Sequence, residues 1–557
     1  MRTDLQSSLN SPSLSKTTAQ YDPPISDERC LGIRKYITHS RPFGPIDSAA
    51  VNTGDVAEMK ALFDRNNVIY RALGGDTSML IGRKGSGKTA YLRSTFLAGA
   101  TGALDVVQLR TANTFLEVLK ALNSELGSTH FAEVVADIWE TLLVCGALSE
   151  LIAKYGRGNS SLRPIADYLG KLGVNVDQPR TADDVLWTVV RTLASRKDDG
   201  TFGTLAAVIR DVAGTSFNTA TTVAKQFLEQ HDRSMVVLLD SLDEYSLETE
   251  EVSRAIAGLL KCVGQFPTRF NRIQLRFCLP AELHHRFMEI STNPAKDFQQ
   301  CLILRWHPKE LISIAAQRLK IYLREHHPRF YADRQLEAAD AEDRKAAEHI
   351  LYSVLPATVV NGRGATEDTL IYLMRHTQLL PRHLLMYLNR ICDRANLQDR
   401  INEPVVTADH LLGGVHQTEE TLIQELFGAY RPIYPLARQV CEACLPELPQ
   451  RFAHGVLQKV FNRHGKAKMH SDDFGEFRRM LVAIGAIGKC VAETERYVEG
   501  EFEYTSPDKL SISVQDELCL HPMFMRVFDG LHRRQEKGPV ILPRGSRIID
   551  KDWRELS

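Results

Sequence analysis

The rhythm of apolar and polar positions changes several times along the chain, and the changes mark its parts. "SMVVLLD" at 234–240 is an unbroken apolar run bounded by charge, the pattern of a parallel strand buried on both faces. Shorter runs at "SMLI" (78–81), "LDVVQL" (104–109), "IQLRFCL" (273–279) and "CLILRW" (301–306) predict four more strands. Strands alternating with helical stretches over 75–307 predict an α/β fold with a doubly wound parallel sheet. Between the second and third strands, Phe131, Val134, Val135, Ile138, Leu142, Cys145, Leu148 and Ile152 recur at helical spacing. Asp137, Glu140 and Glu150 interrupt that run, so it predicts a packed amphipathic helix and not a membrane span. Residues 111–230 are accordingly expected to form a helical insertion.

The flanks read differently. Residues 1–50 are rich in Ser, Thr and Pro and predict a disordered or loosely docked arm, with order beginning where Asp55 can cap a helix. The α/β core is expected over 51–307 and a helical lid over 308–428. Over 429–535, helices give way to an alternating hairpin at "GKCVAETERYVEGEFEY", which predicts a winged-helix-like domain; 536–557 is left as a tail.

Length and charge narrow the class. At 557 residues the chain is too long for one core and suggests about three or four domains. A formal net charge of −1 supplies no global field toward nucleic acid or an anionic membrane, so such a contact has to be a local patch. With no secretory pattern and no apolar run of spanning length, a cytoplasmic protein without membrane contact is expected. The cysteines sit mostly inside apolar stretches and read as reduced core residues. Cys441 and Cys444 make one CxxC with no second pair at zinc-ribbon spacing, so they are expected to be helix residues and not ligands.

One interruption carries chemistry. In "SMLIGRKGSGKTAY" (78–91), Gly82, Gly87, Lys88 and Thr89 satisfy G-x-x-x-x-G-K-[ST], with Arg83, Lys84, Gly85 and Ser86 between and Ala90 following. Glycines let successive N–H groups curl around phosphate oxygens, the lysine reaches the β- and γ-phosphates, and the threonine hydroxyl ligates Mg²⁺. A flexible turn would explain the glycines but not the strand before them and the helix after them. A phosphate loop also needs an acidic group for the metal, expected at the end of a neighbouring strand. "VVLLDSLDEY" offers Asp240 for Mg²⁺, with Asp243 or Glu244 to orient or deprotonate the attacking water.

The phosphate loop, the hhhhD-x-x-D-E motif, the helical lid and the winged-helix-like end together resemble the bacterial STAND-type signal-transduction P-loop ATPases. These are relatives of NACHT proteins and, more distantly, of AAA+ initiator ATPases of the origin-recognition type. The resemblance spans roughly 50–530 and implies an ATP-dependent switch, with a lid that closes on ATP, of the kind found in phage-defence loci. It also implies that Arg382, at the start of a lid helix after Pro381, reaches the γ-phosphate as a sensor. No Ser/Thr-Ser-Arg sensor stands in "FCLPAEL", and Arg286 is the remaining finger candidate. GTPase and transporter-type motifs are absent from the sequence, and no protease, nuclease or TIR-like motif announces an effector, so the output is expected to pass to a protein partner or effector from a neighbouring gene, with a homo-oligomer also compatible.

The alternatives are a DNA-associated initiator-type ATPase and a nucleotide-binding scaffold without turnover. For DNA, Arg463, Lys466, Lys468, Arg478, Arg479 and Lys489 make a basic patch. The hairpin counts against it, with Glu493, Glu495, Glu499, Glu501 and Glu503 against Lys489 and Arg496, so DNA is the less favoured partner.

Overall fold

The structure is a computed structural model. It describes residues 36–47, 78–99, 104–110, 131–176, 181–198, 205–240, 250–291, 293–298, 301–362, 364–397, 403–506, 510–530 and 539–546. Strands β1 (Met79–Gly82), β2 (Leu104–Arg110), β3 (Ser234–Asp240), β4 (Ile273–Pro280) and β5 (Cys301–Ile303) form one parallel sheet in the order β2-β3-β4-β1-β5. The fifth strand is shorter than its sequence predicts, although the Leu304 N–H still donates to Ile81 O (2.7 Å).

Because strand side chains alternate, each strand feeds two cores. Leu80, Val236, Leu238 and Cys278 join one, while Met79, Ile81, Val237, Leu239, Phe277 and Leu279 join the other. Helix α1 (Lys88–Gly99) lies with the first core through Tyr91 and Leu92. The second core is covered by α2 (Phe131–Tyr155), α3 (Arg163–Lys171), α4 (Ala182–Asp198), α5 (Leu205–Val212), α6 (Thr215–Gln230) and α7 (Glu250–Arg269). A helical insertion thus stands between β2 and β3; residues 111–130 of its expected range, and the expected cap at Asp55, lie outside the described residues.

The reading of α2 as amphipathic holds at its ends, where Glu133, Asp137 and Lys154 are exposed, but not in its middle. Every residue from Ile138 to Leu148 is buried, so this 25-residue helix runs through the core and packs along α7. Its polar Glu140 is held by Arg269 of α7 (2.6 Å), which lets a carboxylate sit where solvent was expected. At the C-terminal end of α2, Asp105 of β2 is 1 % exposed and takes a bidentate pair from Arg233 (2.9 and 3.1 Å), with Lys154 and Tyr155 completing its shell. Burial alone would raise its pKa, but these hydrogen bonds outweigh burial and hold it below the ordinary carboxylate range.

After β5 come α8's successors; α8 itself (His284–Ile290) precedes that strand. The lid comprises α9 (Pro308–His326), α10 (Arg344–Tyr352), α11 (Thr369–His376), α12 (Pro381–Arg394) and α13 (Ala408–Tyr430). Pro308 opens α9, and Glu310 accepts the His307 N–H (3.1 Å) at its cap. A small antiparallel hairpin, β6 (Thr358–Val360) and β7 (Thr366–Asp368), interrupts the helices where only helix was expected. Residues 36–47, expected within a disordered or loosely docked arm, are anchored on this lid. Phe43 is fully buried, its N–H donates to Asn389 Oδ1 (2.9 Å), and Arg318 donates to the Phe43 and Pro45 carbonyls.

The C-terminal region contains α14 (Ala437–Cys444), β8 (Arg451–Ala453), helical turns from His454–Val460 to Lys466–Met469, α15 (Phe474–Ala483), the β9 (Ile487–Glu493)–β10 (Tyr497–Glu501) hairpin, β11 (Glu517–Leu520), α16 (Pro522–Val527) and β12 (Val540–Pro543). The sheet order is β12-β10-β9-β11-β8. β12 falls in the expected tail but pairs parallel with β10, so that part of the tail belongs to this sheet. Cys441 and Cys444 are both buried in α14, and burial pushes the Cys444 thiol up to about 12, far from a ligating thiolate. The fold is therefore α/β: a P-loop-type parallel sheet with a helical insertion, followed by a helical lid and a winged-helix-like end. Among the described residues no helix is long and apolar enough to cross a membrane.

Candidate nucleotide site

β1 is buried along its length and lies between β4 and β5, so the chain leaves it at Gly82, at the sheet's C-terminal edge and flanked by a strand on each side. The turn from strand to helix needs backbone that bulky residues resist. Gly85 and Gly87 take φ of 84° and 95°, and a Cβ on Gly82 would stand 2.4 Å from Ser86 Oγ. Lys88 opens α1 and turns its ammonium back over the loop, donating to Gly82 O (3.0 Å) and Arg83 O (3.3 Å). Thr89 and Ala90 follow in the first turn of α1, partly buried. The positive end of that helix faces the loop.

Three distant groups clamp the loop, and the sequence pattern singled out one of them. Glu282, just after β4, accepts the Lys84 N–H through Oε1 (2.7 Å). Trp306, just after β5, donates its indole N–H to Ser86 O (2.7 Å). The Arg382 N–H, in the first turn of α12, approaches Gly85 O at 3.4 Å, and its side chain lies over Gly85. The Arg382 guanidinium is 3.6 Å from Glu425 of α13, and its Nε is buried with no hydrogen-bond partner among the described residues. Glu282 and Trp306 were missed because their only local signal is a position at a strand end. Ser86 Oγ is likewise buried without a partner, among the described residues.

The acidic motif is placed only in part. Asp240 is the last residue of β3, and its side chain is not among those described; Asp243 and Glu244 lie outside the described residues. β3 is not the neighbour of β1, as the sequence led one to expect, because β4 stands between them. Leu239 is level with Phe277, and Phe277 with Met79, so the Asp240 backbone lies two strand spacings, roughly 10 Å, across the sheet from β1. Arg286 sits exposed on α8, paired with Glu289 of the same helix (3.3 Å).

No protein-family model matches the chain, and no curated protein matches it. Two solved structures of the Aeropyrum pernix ORC2 protein are similar to it, one of ADPNP-ADP complexes and one of the ADP form. Both are 13% identical, with TM-scores of 0.35 and 0.30. Each likeness covers 88% of this chain, and 97% and 98% of the respective ORC2 chains. A likeness this distant says nothing about what this chain binds.

Proposed function

We propose that this chain is a Mg²⁺-dependent ATPase of the STAND or AAA+ kind that works as a regulatory switch, in a setting such as antiphage defence, and passes its output to a protein partner. The observation that carries this reading is the loop: left-handed glycines, Lys88 at a helix start, and buried Ser86 Oγ and Arg382 Nε left without hydrogen bonds among the described residues. Each such orphan costs roughly 1–3 kcal/mol, and an anion rich in acceptor oxygens would relieve both. In this role Lys88 and the amides of 83–89 would hold the phosphates, Thr89 and Asp240 would hold Mg²⁺, and Asp243 or Glu244 would orient water. Bound ATP supplies the γ-phosphoryl group that is transferred.

The C-terminal charges favour a protein partner over duplex DNA. Arg463 pairs with Glu447, Lys466 with Asp472, Arg479 with Asp473 and Lys489 with Glu501, at 3.0–3.3 Å, while Arg478 hydrogen-bonds His454. With four of its six basic residues already paired with acids of the same region, the patch has fewer free charges with which to release counterions from a phosphate backbone.

The test is nucleotide binding and phosphate release by wild type and variants. At ATP about a hundredfold above Kd, binding stabilises by about 2.7 kcal/mol, so wild type should melt a few degrees higher with Mg-ATP while Lys88→Ala should not. Asp240→Ala should weaken Mg²⁺-dependent binding, whereas Glu244→Gln or Asp243→Asn, whichever is the base, should bind ATP and lose about a hundredfold or more in turnover. An equal thermal shift in wild type and Lys88→Ala would take the loop out of the mechanism.

A further inference from the structure

We propose that Arg83 is a positioning residue, through which the C-terminal domain sets the phosphate loop; this rests on the nucleotide-binding reading above. Arg83 faces two ways. Its carbonyl accepts the Lys88 ammonium (3.3 Å) and the Ser86 N–H (3.0 Å), inside the loop. Its guanidinium leaves the loop and lies 5.4 Å from the ring centroid of Tyr504, which follows β10. Both terminal guanidinium nitrogens are buried and make no hydrogen bond, among the described residues. A buried cation without close hydrogen bonds is costly, so the face of the Tyr504 ring, together with the Tyr430 hydroxyl beside it, compensates it there. Without that ring the side chain has reason to turn to water, and the carbonyl holding Lys88 turns with it.

Tyr504 is itself fixed from the far side. Phe502 stacks against it at 5.7 Å, with an interplanar angle of 15°. His521 Nδ1 accepts the Met523 N–H (3.2 Å), which leaves its Nε2–H to donate to Tyr504 Oη (2.7 Å) and to the Thr377 carbonyl (3.2 Å). Burial lowers the His521 pKa to about 3, so the ring stays neutral and adds no second positive charge beside Arg83. From Thr377 the chain runs five residues to Arg382, whose side chain lies over Gly85. The contacts therefore close a ring: Arg83 to Tyr504, Tyr504 to His521, His521 to Thr377, and the 377–382 segment back to the loop. A displacement of Tyr504 reaches the loop at residue 83 by one route and at residue 85 by the other.

The experiment is release of N-methylanthraniloyl-ADP from the full chain, chased with unlabelled ADP. It compares wild type, Arg83→Met, Tyr504→Leu, Tyr504→Phe and the Arg83→Met/Tyr504→Leu double variant. Arg83→Met and Tyr504→Leu should each speed release by about fivefold or more, the lower end of ordinary coupling between sites. The double variant should release no faster than either single one, and Tyr504→Phe, which keeps the ring face but loses the His521 hydrogen bond, should fall between wild type and Tyr504→Leu. Should Tyr504→Leu fail to fold, Arg83→Met against Tyr504→Phe carries the comparison. Unchanged release in Arg83→Met, effects that multiply in the double variant, or a Tyr504→Phe as fast as Tyr504→Leu would each overturn the role of Arg83. A wild type that binds no labelled ADP would instead sink the nucleotide-binding reading, and this proposal with it.

Discussion

Two glycines with similar backbone angles allow the clamp on the phosphate loop to be weighed. Gly85 has φ 84° and Gly158 has φ 74°, so alanine is strained at both by about 1–2 kcal/mol. Their surroundings differ. A Cβ at Gly158 meets nothing within 4 Å, whereas one at Gly85 stands 3.0 Å from Arg382 Cβ and 3.2 Å from Arg382 Cδ. The second contact must push α12 or the loop aside, which adds about 1–3 kcal/mol of overpacking. Gly158→Ala should therefore cost about 1 kcal/mol, after allowing for the smaller entropy of the unfolded chain, and Gly85→Ala about 2–4 kcal/mol. The excess should respond to Arg382 in steps. Arg382→Ala removes the Cδ contact but keeps Cβ, so it should relieve part of the excess; Arg382→Gly should relieve nearly all of it. Guanidinium unfolding followed by tryptophan fluorescence suits the measurement, since the Trp306 indole is bonded to the loop at Ser86 O. Equal costs at Gly85 and Gly158, or a Gly85→Ala cost indifferent to Arg382→Gly, would refute the close approach of lid and loop.

Two further outcomes follow from charged contacts elsewhere. Asp105→Ala should destabilise by about 3 kcal/mol, the low end for a broken buried pair because Arg233 and Lys154 are part-exposed and can hydrate. Because the folded pKa of Asp105 is lowered, its contribution is present above its unfolded value of about 3.9 and is lost as pH falls through the lower folded value; a wild-type and Asp105→Ala difference that did not shrink in acid would contradict this. The full chain should bind random duplex DNA no better than micromolar at near-physiological salt, and submicromolar binding abolished by changing Lys466, Lys468, Arg478 and Arg479 to Glu would promote the initiator-type alternative.

What the sequence discloses follows from how local each signal is. β3 is legible because an apolar run flanked by charge has few other homes. The turn at 82–89 between β1 and α1 is legible because its residues are contiguous and its glycines are demanded by one geometry. The burial of the middle of α2 is not legible, because Glu140 looks like a solvent-facing residue until Arg269, 129 positions away, is brought to it. β12 is hidden for a related reason: four residues at Val540–Pro543 become a strand only where β10 offers an edge. Trp306 and Glu282 reach the loop across 220 and 198 residues, with nothing in their own neighbourhoods to announce it.

The segment 376–385 shows how a short stretch can serve three parts of the fold at once. His376 shares a 2.6 Å hydrogen bond with buried Glu419 of α13, and Gln378 donates to Ile484 O at the start of the β9 hairpin (3.0 Å). Four residues further on, Arg382 meets the phosphate loop. To turn from one set of contacts to the other within so few residues, Leu379 takes φ 50°, a left-handed conformation that costs a leucine about 1–2 kcal/mol. Pro381 then fixes the entry into α12 and needs no N–H partner there. The strained residue is buried at 6 % exposure, so its apolar side chain is held by the same core that joins sheet, lid and C-terminal domain. Glycine at 379 would relieve the backbone but surrender that packing and leave the bend free to open. The leucine keeps the turn closed, which holds Arg382 over Gly85 while Gln378 stays bonded to Ile484 O.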